Sequence, residues 1–600
     1  MKMMEGSRKS SFFSGIVLFL CASLCHSRPV ATADHLISLF ENVKGNTLET
    51  DIEVNADLDF SGHTLPLGAF SNGTCVAFSG TFHGNGYSIK GFKMDNTNNE
   101  GYKDAGVFCN LKNAAVENLI IDSSCSFTGY NAGGLAVSLN GSLTVKHTTN
   151  YALVSGKDSV GGFIGYVEDL KQQTVVSFEK CINHGSVTGT MYSVGGFVGY
   201  IHSNSKITMA ISNSINHGIV TGDHCNTGGL VGFIHRNDKM NMIISNSFNY
   251  GTVTVDVSYA GGFICTIYSN THLDLTISNS INNGNVTGSS YVGGFVGYIY
   301  SNKNMTITNS HSTNNGNVTG RGRIGCFGSI ESNVNITMTI SKFINNGDIT
   351  ASRDYAGGFV GYIFNNTDMT MDVSNSTNNG AVDGNENYVG GFVGCISSDS
   401  NFNSITVGII NSANKGNVSS QQSTACGFVC VNSLFNINVK IAVKNSINKG
   451  CVNSGRLAYG ITSMITTVRN VVSMGDVTGL SASYTFWAPS TDVNLLYGLK
   501  DKCNNCGPNV VLFQYNANTG FYQVVGSDKH VHNLLNDESV NQHFGMIWTK
   551  ALELTAFDDD SSWYPSQSFP TSSGQLSGGT HHCSFMIFFT LTLVLVILSV

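Results

Sequence analysis

Residues able to do chemistry are few and scattered in this 600-residue chain. Hydrolysing a glycosidic bond takes two carboxylates flanking it, one protonated and one ionised; eliminative cleavage of a polyuronide takes a carboxylate-bound cation and a strong base. Nearest to such a set are Asp348, Asp354 and Asp383, which fall at corner or loop positions of different kinds and read as solvated corners. The chain has no His-Glu-x-x-His, which would set two zinc-binding imidazoles on one helix face, and no Gly-x-Ser-x-Gly in a strand-turn-helix context. His530-Val531-His532 is a pair without further placed ligands. Cys503-Asn504-Asn505-Cys506 lacks the second pair that a structural zinc needs, so Cys503 and Cys506 are instead the best disulfide candidates. No catalytic residue, no metal and no cofactor is expected.

Two aromatic series are better candidates for binding. Tyr166, Tyr200, Phe233, Tyr298 and Tyr362 recur after a central Gly, and Tyr259, Tyr291, Tyr355 and Tyr388 recur two residues before a Gly pair. An exposed track of rings beside Asn and Ser could hold sugars by stacking and hydrogen bonding. Intramolecular stacking that stabilises the fold is the competing reading, and it weighs more.

Composition narrows the elements that position these residues. The chain has 68 Gly, 6 Pro and only 12% charged residues, with 41% hydrophobic residues. That apolar content can bury a core, so disorder is excluded. The net charge of -8 is diffuse, which argues against nucleic acid as a partner, since phosphates are neutralised by clustered Lys and Arg. All six Pro lie outside residues 67–488, so a continuous hydrogen-bonded ladder can run through that span.

The ends read as targeting segments. Lys2, Arg8 and Lys9 precede an apolar run from Phe12 to Cys25 and then small residues, the layout of a signal peptide (1–27). Cleavage after Ser27 is favoured, with Ala33 as the rival. Phe585 to Val600 is apolar and follows a polar spacer and small residues, the layout of a lipid-anchor signal (581–600) with Ser572 as the attachment residue. A C-terminal spanning helix is the alternative. Both readings send the chain through the secretory pathway to the outer cell surface, tethered to the membrane. Nine Asn-x-Ser/Thr sequons suit that compartment: Asn72, Asn140, Asn285, Asn304, Asn317, Asn335, Asn365, Asn375 and Asn417. Cys265, Cys326, Cys395 and Cys430 sit where other copies of a repeat carry Gly or Tyr, and read as buried thiols.

That repeat decides the fold class. Gly134, Gly162, Gly196, Gly229, Gly262, Gly294, Cys326, Gly358, Gly391, Gly427 and Gly460 are spaced 28, 34, 33, 33, 32, 32, 32, 33, 36 and 33 residues apart. Each copy holds a Gly-Gly-Phe string, a string such as Met305 to Ser310, and an Asn-Val-Thr string such as Asn317 to Thr319, with period-2 alternation in the last two. None has a long pattern of period 3.6. Three short strands per coil, each stacked on its equivalent in the next, predict an all-β parallel β-helix solenoid. Asn183, Asn216, Asn249, Asn282, Asn314, Asn345, Asn378, Asn414 and Asn448 would then form one column, read as a structural asparagine ladder.

The strings Val292-Gly293-Gly294-Phe295-Val296-Gly297-Tyr298 and Ser280-Ile281-Asn282-Asn283-Gly284-Asn285-Val286-Thr287-Gly288 resemble GLUG-motif repeats. The stretch ahead of them, through Phe78-Ser79-Gly80-Thr81-Phe82-His83-Gly84-Asn85-Gly86, is similar to the start of secreted proteins of that kind, with His83 where those usually have Asp. The resemblance covers roughly residues 34–480. It implies a right-handed, pectin-lyase-like β-helix on a cell surface, in a family linked to adhesins and to accessory regions of secreted peptidases, without catalytic residues. Expected segments are an N-terminal cap with first coils (34–105), the repeat helix (106–480), a non-repetitive cap holding all three Trp (481–555) and a stalk (556–580). The functional expectation is a non-enzymatic surface protein for adhesion, coat or recognition of a glycan or protein, with a carbohydrate-active β-helix enzyme as the alternative.

Overall fold

The computed structural model of the chain describes residues 27–526, apart from residue 100 and residues 400–403, 433–437, 464–466, 474–475, 485–492, 500–509 and 517–520. Cys503, Cys506, Ser572, His530, His532, the three Trp and both targeting segments lie outside the described residues.

Alternation along the sequence becomes alternation across a wall. In Lys303–Ser310, Met305 and Ile307 point inward and are buried, while Thr306 and the partly covered Thr308 face out. A period of two sends successive side chains to opposite faces of a strand. The coil around it runs Tyr291–Tyr300, Lys303–Ser310, Thr313–Asn314 and Val318–Gly320. Each segment pairs in parallel with its equivalent one repeat on: Met305 with Ile336, Asn314 with Asn345, Val318 with Ile349. The first three segments of each coil join one 50-stranded ladder and the fourth a separate 13-stranded sheet. The result is a parallel β-solenoid of about twelve turns. Parallel stacking reaches Val510–Asn516, and Phe521–Gly526 then returns antiparallel.

The two-residue segment was not among the three expected strings, and it exists because of the asparagines. Asn216 Nδ2 donates to Gly218 O at 2.9 Å and to Asn249 Oδ1 at 2.9 Å, and the same pair of bonds recurs from Asn150 to Asn414. A fully buried amide is expensive unless its donors and acceptors are met, and stacking meets them. A second buried ladder, Asn204, Asn237, Asn270, Asn302, Asn333 and Asn366, runs up another corner, each Nδ2 donating to the next Oδ1 at 2.8–3.1 Å. The Gly pairs follow from the first ladder. A Cβ on Gly196 would lie 2.1 Å from Gly229 O and 2.8 Å from the Asn216 amide.

One core position breaks the pattern. Asn309 stands in register with Ile277 and Ile340, fully buried, and neither end of its amide has a partner among the described residues.

At the N-terminal end, Arg28–Val30 pairs in parallel with Ile52–Val54. The helix Ala33–Glu41 follows, capped by Thr32, whose side chain accepts from His35 N. It buries Ala33, Leu36 and Phe40, with the Phe40 ring 6.4 Å from Phe78 and 6.3 Å from Phe108. A Cys75–Cys109 disulfide ties the following loop to the first repeat coil.

Cys265, Cys326 and Cys395 are buried free thiols, and burial pushes Cys265 up to about 12. Cys430 is not: it is bonded to Cys426. Cys426 replaces the first Gly of a pair, in register with Gly390, which sets a second sulfur within reach at a Cα separation of 5.5 Å.

Candidate functional site

The Gly-Gly-Phe strands aim three columns of side chains outward. Register places Tyr166, Tyr200, Phe233, Thr266, Tyr298, Ser329, Tyr362 and Cys395 in the middle one. Glu168, His202, His235, Tyr268, Tyr300, Glu331 and Phe364 stand to one side. On the other side stand Tyr259, Tyr291, Arg323, Tyr355 and Tyr388.

Ring faces on this wall are already in use. Tyr298 stacks on Tyr291 at 4.0 Å and 6° and on Tyr300 at 5.3 Å and 11°; Tyr362 stacks likewise on Tyr355 at 4.4 Å and Phe364 at 5.5 Å. Phe233, Tyr298 and Tyr362 are buried, and Tyr166 and Tyr200 half-buried. Burial holds the Tyr298, Tyr362 and Tyr200 phenols above the usual range, and Tyr355 is raised to about 12. What the wall offers outward is ring edges and hydroxyls.

One coil interrupts the rings with charge. Arg323 takes the place of a tyrosine, its guanidinium 5.0 Å from the Tyr291 ring centroid and 5.2 Å from that of Tyr362, and Nη1 donates to Tyr291 Oη at 2.9 Å. A planar cation can substitute for a ring in a stack. Arg323 Nε lies 3.5 Å from Glu331 Oε1, a carboxylate only 9% exposed. Ser329, small where Tyr298 and Tyr362 are large, donates to Glu331 Oε1 at 2.6 Å, and Tyr298 Oη donates to Oε2 at 3.4 Å. A buried ion pair survives only with such added hydrogen bonds.

Four and five coils lower, His202 Nδ1 meets Glu168 Oε1 at 3.1 Å and Ser203 Oγ meets His202 Nε2 at 3.0 Å. The connectivity is that of a serine-hydrolase triad. The backbone donors a tetrahedral intermediate would need are committed: Ser203 N to His235 O and Asn204 N to Asn237 Oδ1. Ser203 also shares its left-handed conformation (φ 54°) with Ser269 and Ser301 of the same corner, which makes it a turn residue. Beside it His235 is buried, its Nδ1 3.1 Å from Tyr200 Oη and its Nε2 without a partner among the described residues. Burial, with His202 and Arg236 nearby, lowers His235 to about 4.

The three carboxylates singled out from sequence separate. Asp354 accepts from Asn387 and is among the charges acting on Arg323. Asp348 and Asp383 are exposed at another corner, where partial burial and then Asp348 push Asp383 up. Among the described residues no three His, Cys, Asp or Glu converge as metal ligands.

No family model matches the chain. Over 98 residues it is 36% identical to halomucin of Haloquadratum walsbyi, a match covering 16% of this chain and 1% of that protein. A crystal structure of a "putative immunoglobulin A1 protease" from Bacteroides ovatus aligns with 49% of this chain and 78% of its own, at 18% identity and a TM-score of 0.32. That score carries no argument about activity.

The sequon asparagines all reach the surface. Asn72, Asn140, Asn285, Asn317, Asn335, Asn375 and Asn417 are exposed, and Asn304 and Asn365 half-buried. Several have structural work as well. Asn304, Asn335, Asn365 and Asn375 hold left-handed corners, and Asn285 Oδ1 accepts from Asn317 N at 3.0 Å. Sequence reading missed the second asparagine ladder and the Arg323–Glu331 layer. The ladder was legible, since its members recur 33, 33, 32, 31 and 33 residues apart.

Proposed function

We propose that the chain is a non-enzymatic extracellular rod of the GLUG-repeat kind, glycosylated and held at a cell surface, serving adhesion, coat or recognition of a glycan or protein. The observation that carries this reading is that none of the nine sequon asparagines is buried, so each stands on a surface that a glycosyl donor reaches. Val30 adds support, being fully buried in a strand that starts at Arg28. Cleavage after Ser27 keeps that strand, whereas cleavage after Ala33 would remove it and the first helical residue. On this reading the chain takes a lipid anchor at Ser572, with a spanning helix as the alternative. Expression in a secretory host should give a product that starts at Arg28 and gains mobility on endoglycosidase treatment; an unshifted band overturns the reading. Release from cells by phosphatidylinositol-specific phospholipase decides the anchor. Enzyme action is a second reading, favoured by Asp383, whose carboxyl is pushed up by partial burial and by the Asp348 charge beside it. Turnover of polyuronides that Asp383→Asn abolishes would establish it.

A further inference from the structure

Seven of the nine sequons fall between Asn285 and Asn417, and none lies between residues 141 and 284. The contrast is sharpest at one corner. Asn285 and Asn317 open their strings as Asn-Val-Thr, and the equivalent positions in earlier coils read Ser186-Val187-Thr188, Ile219-Val220-Thr221 and Thr252-Val253-Thr254. Each lacks a sequon by one residue, so the sites are absent where the backbone would accommodate them.

This bare corner carries an apolar strip. Tyr151, His184, His217 and Tyr250 form one exposed stack, with centroids 4.6, 4.8 and 4.9 Å apart and planes within 13°. Beside it Leu153 is 58% and Ile219 52% exposed, so the rings and the aliphatic side chains make one continuous apolar strip. On the other flank Ile182, Ile215 and Phe248 are half-buried in the column that Thr149 shares.

Read along the rod, the stack is Tyr-His-His-Tyr, the same in both directions. A twofold axis across the rod between His184 and His217 sets Tyr151 against Tyr250 and His184 against His217 of a second copy. The flanking columns then pair large with small: Leu153 opposite Thr252, Ile219 opposite Ser186, Phe248 opposite Thr149, and Ile182 opposite Ile215. Neutral imidazole edges suit each other, each having one donor and one acceptor nitrogen. A twofold along the rod between the two columns would lay rings on the aliphatic column, His184 on Ser186, and one through the rings would set each ring on its own copy, so that either cysteine variant alone would cross-link as well as the pair. An isologous contact requires each residue to be met in return by the partner it meets, and this reversed order supplies that with like rings at the centre and large against small on the flanks. We propose that this strip is a homotypic contact, joining two copies of the chain with their rods antiparallel.

Four coils at ~4.8 Å and three columns make a face of roughly 300 Å² per copy, against about 800 Å² for a stable complex. The contact is therefore weak singly and depends on many copies at a surface. Crowding at a surface rests on the proposed function, but sedimentation and cross-linking of the chain need neither its anchor nor its native glycans, so the two readings fail separately. Full-length chains carrying Tyr151→Cys and Tyr250→Cys, differently tagged and displayed together, should cross-link on mild oxidation about tenfold more than either variant alone, a factor worth ~1.4 kcal/mol. Ser186→Asn, glycosylated through Val187 and Thr188, should remove the excess, and Thr188→Ala added to it should restore it. Sedimentation of the unsubstituted full chain in detergent should show concentration-dependent dimers that Ser186→Asn abolishes. Preferential cross-linking of Tyr151→Cys with Leu153→Cys overturns the antiparallel arrangement; no excess in any pairing, with no dimer by sedimentation, overturns the contact.

Discussion

Residues 141–284 and 285–417 share one kind of coil and the two buried asparagine ladders, and they differ at the corners that face water. In the earlier coils the corner stack is Tyr151, His184, His217 and Tyr250; in the later ones it is Asn283, Asn315, Asn346 and Asn379, whose amides bond at 2.8 Å from coil to coil. The adjacent column changes from Leu153 and Ile219 to the sequons Asn285 and Asn317. Stacking identical residues satisfies both kinds of corner, by ring faces in one and by amide pairs in the other. Inward positions are thus held by the fold, while outward positions vary freely so long as neighbours match, and it is there that a surface can be made sticky or hydrophilic.

Substitutions can test whether the interior is equivalent in the two regions. The largest effect is expected in the later one: Arg323→Met leaves the Glu331 carboxylate buried and unpaired, with a loss of about 3–5 kcal/mol in urea unfolding. Arg323→Tyr combined with Glu331→Tyr continues the ring columns and should come within about 1 kcal/mol of the parent. Asn216→Ala and Asn345→Ala, one in each region, should each cost about 2–3 kcal/mol by stranding the amides above and below; markedly unequal losses would break the equivalence. Asn309→Ile completes a core column and should stabilise by roughly 1–3 kcal/mol, since it removes an amide buried without partners.

The smallest effect is one of pH and belongs to the earlier region. His235 is lowered to about 4, so between pH ~6.5 and that value the unfolded chain binds a proton that the folded one does not. Stability therefore falls as pH drops through this window, by on the order of 1–2 kcal/mol once screening at the half-open edge is allowed for. His235→Tyr, which matches Tyr268 above it, should flatten the unfolding midpoint between pH 7 and 4. An unchanged acid slope would locate the sensitivity elsewhere, first at His184 and His217, which burial also lowers.

Much of this was legible in the sequence because a solenoid repeats its reasons. Asn282 recurs at the coil period, and a recurrent buried-type amide beside a Gly pair has few uses other than a ladder. The tyrosine series were equally visible, but their ring faces were not: Tyr298 is read as a platform or a brace only once Tyr291 and Tyr300 are placed against it. The single coil with Arg323, Ser329 and Glu331 escaped for the opposite reason. It departs from the repeat, so nothing before or after it announces what those residues meet. Cys430 misled because the cysteines that interrupt the same strand in other coils are free thiols, while its own partner, Cys426, depends on one substituted glycine.

The direction of the asparagine bonds has an electrical consequence. Along the buried ladder from Asn150 to Asn448 each amide donates to its neighbour on the C-terminal side, and the second buried series from Asn204 to Asn366 points the same way, while the exposed column from Asn379 to Asn283 donates in the opposite direction. Aligned amide dipoles add, as they do along a helix axis. The interior of the rod is therefore polarised along its length, with the acceptor pole near the capped first coils and the donor pole toward the C-terminal coils, and two rods laid antiparallel would cancel one another's field.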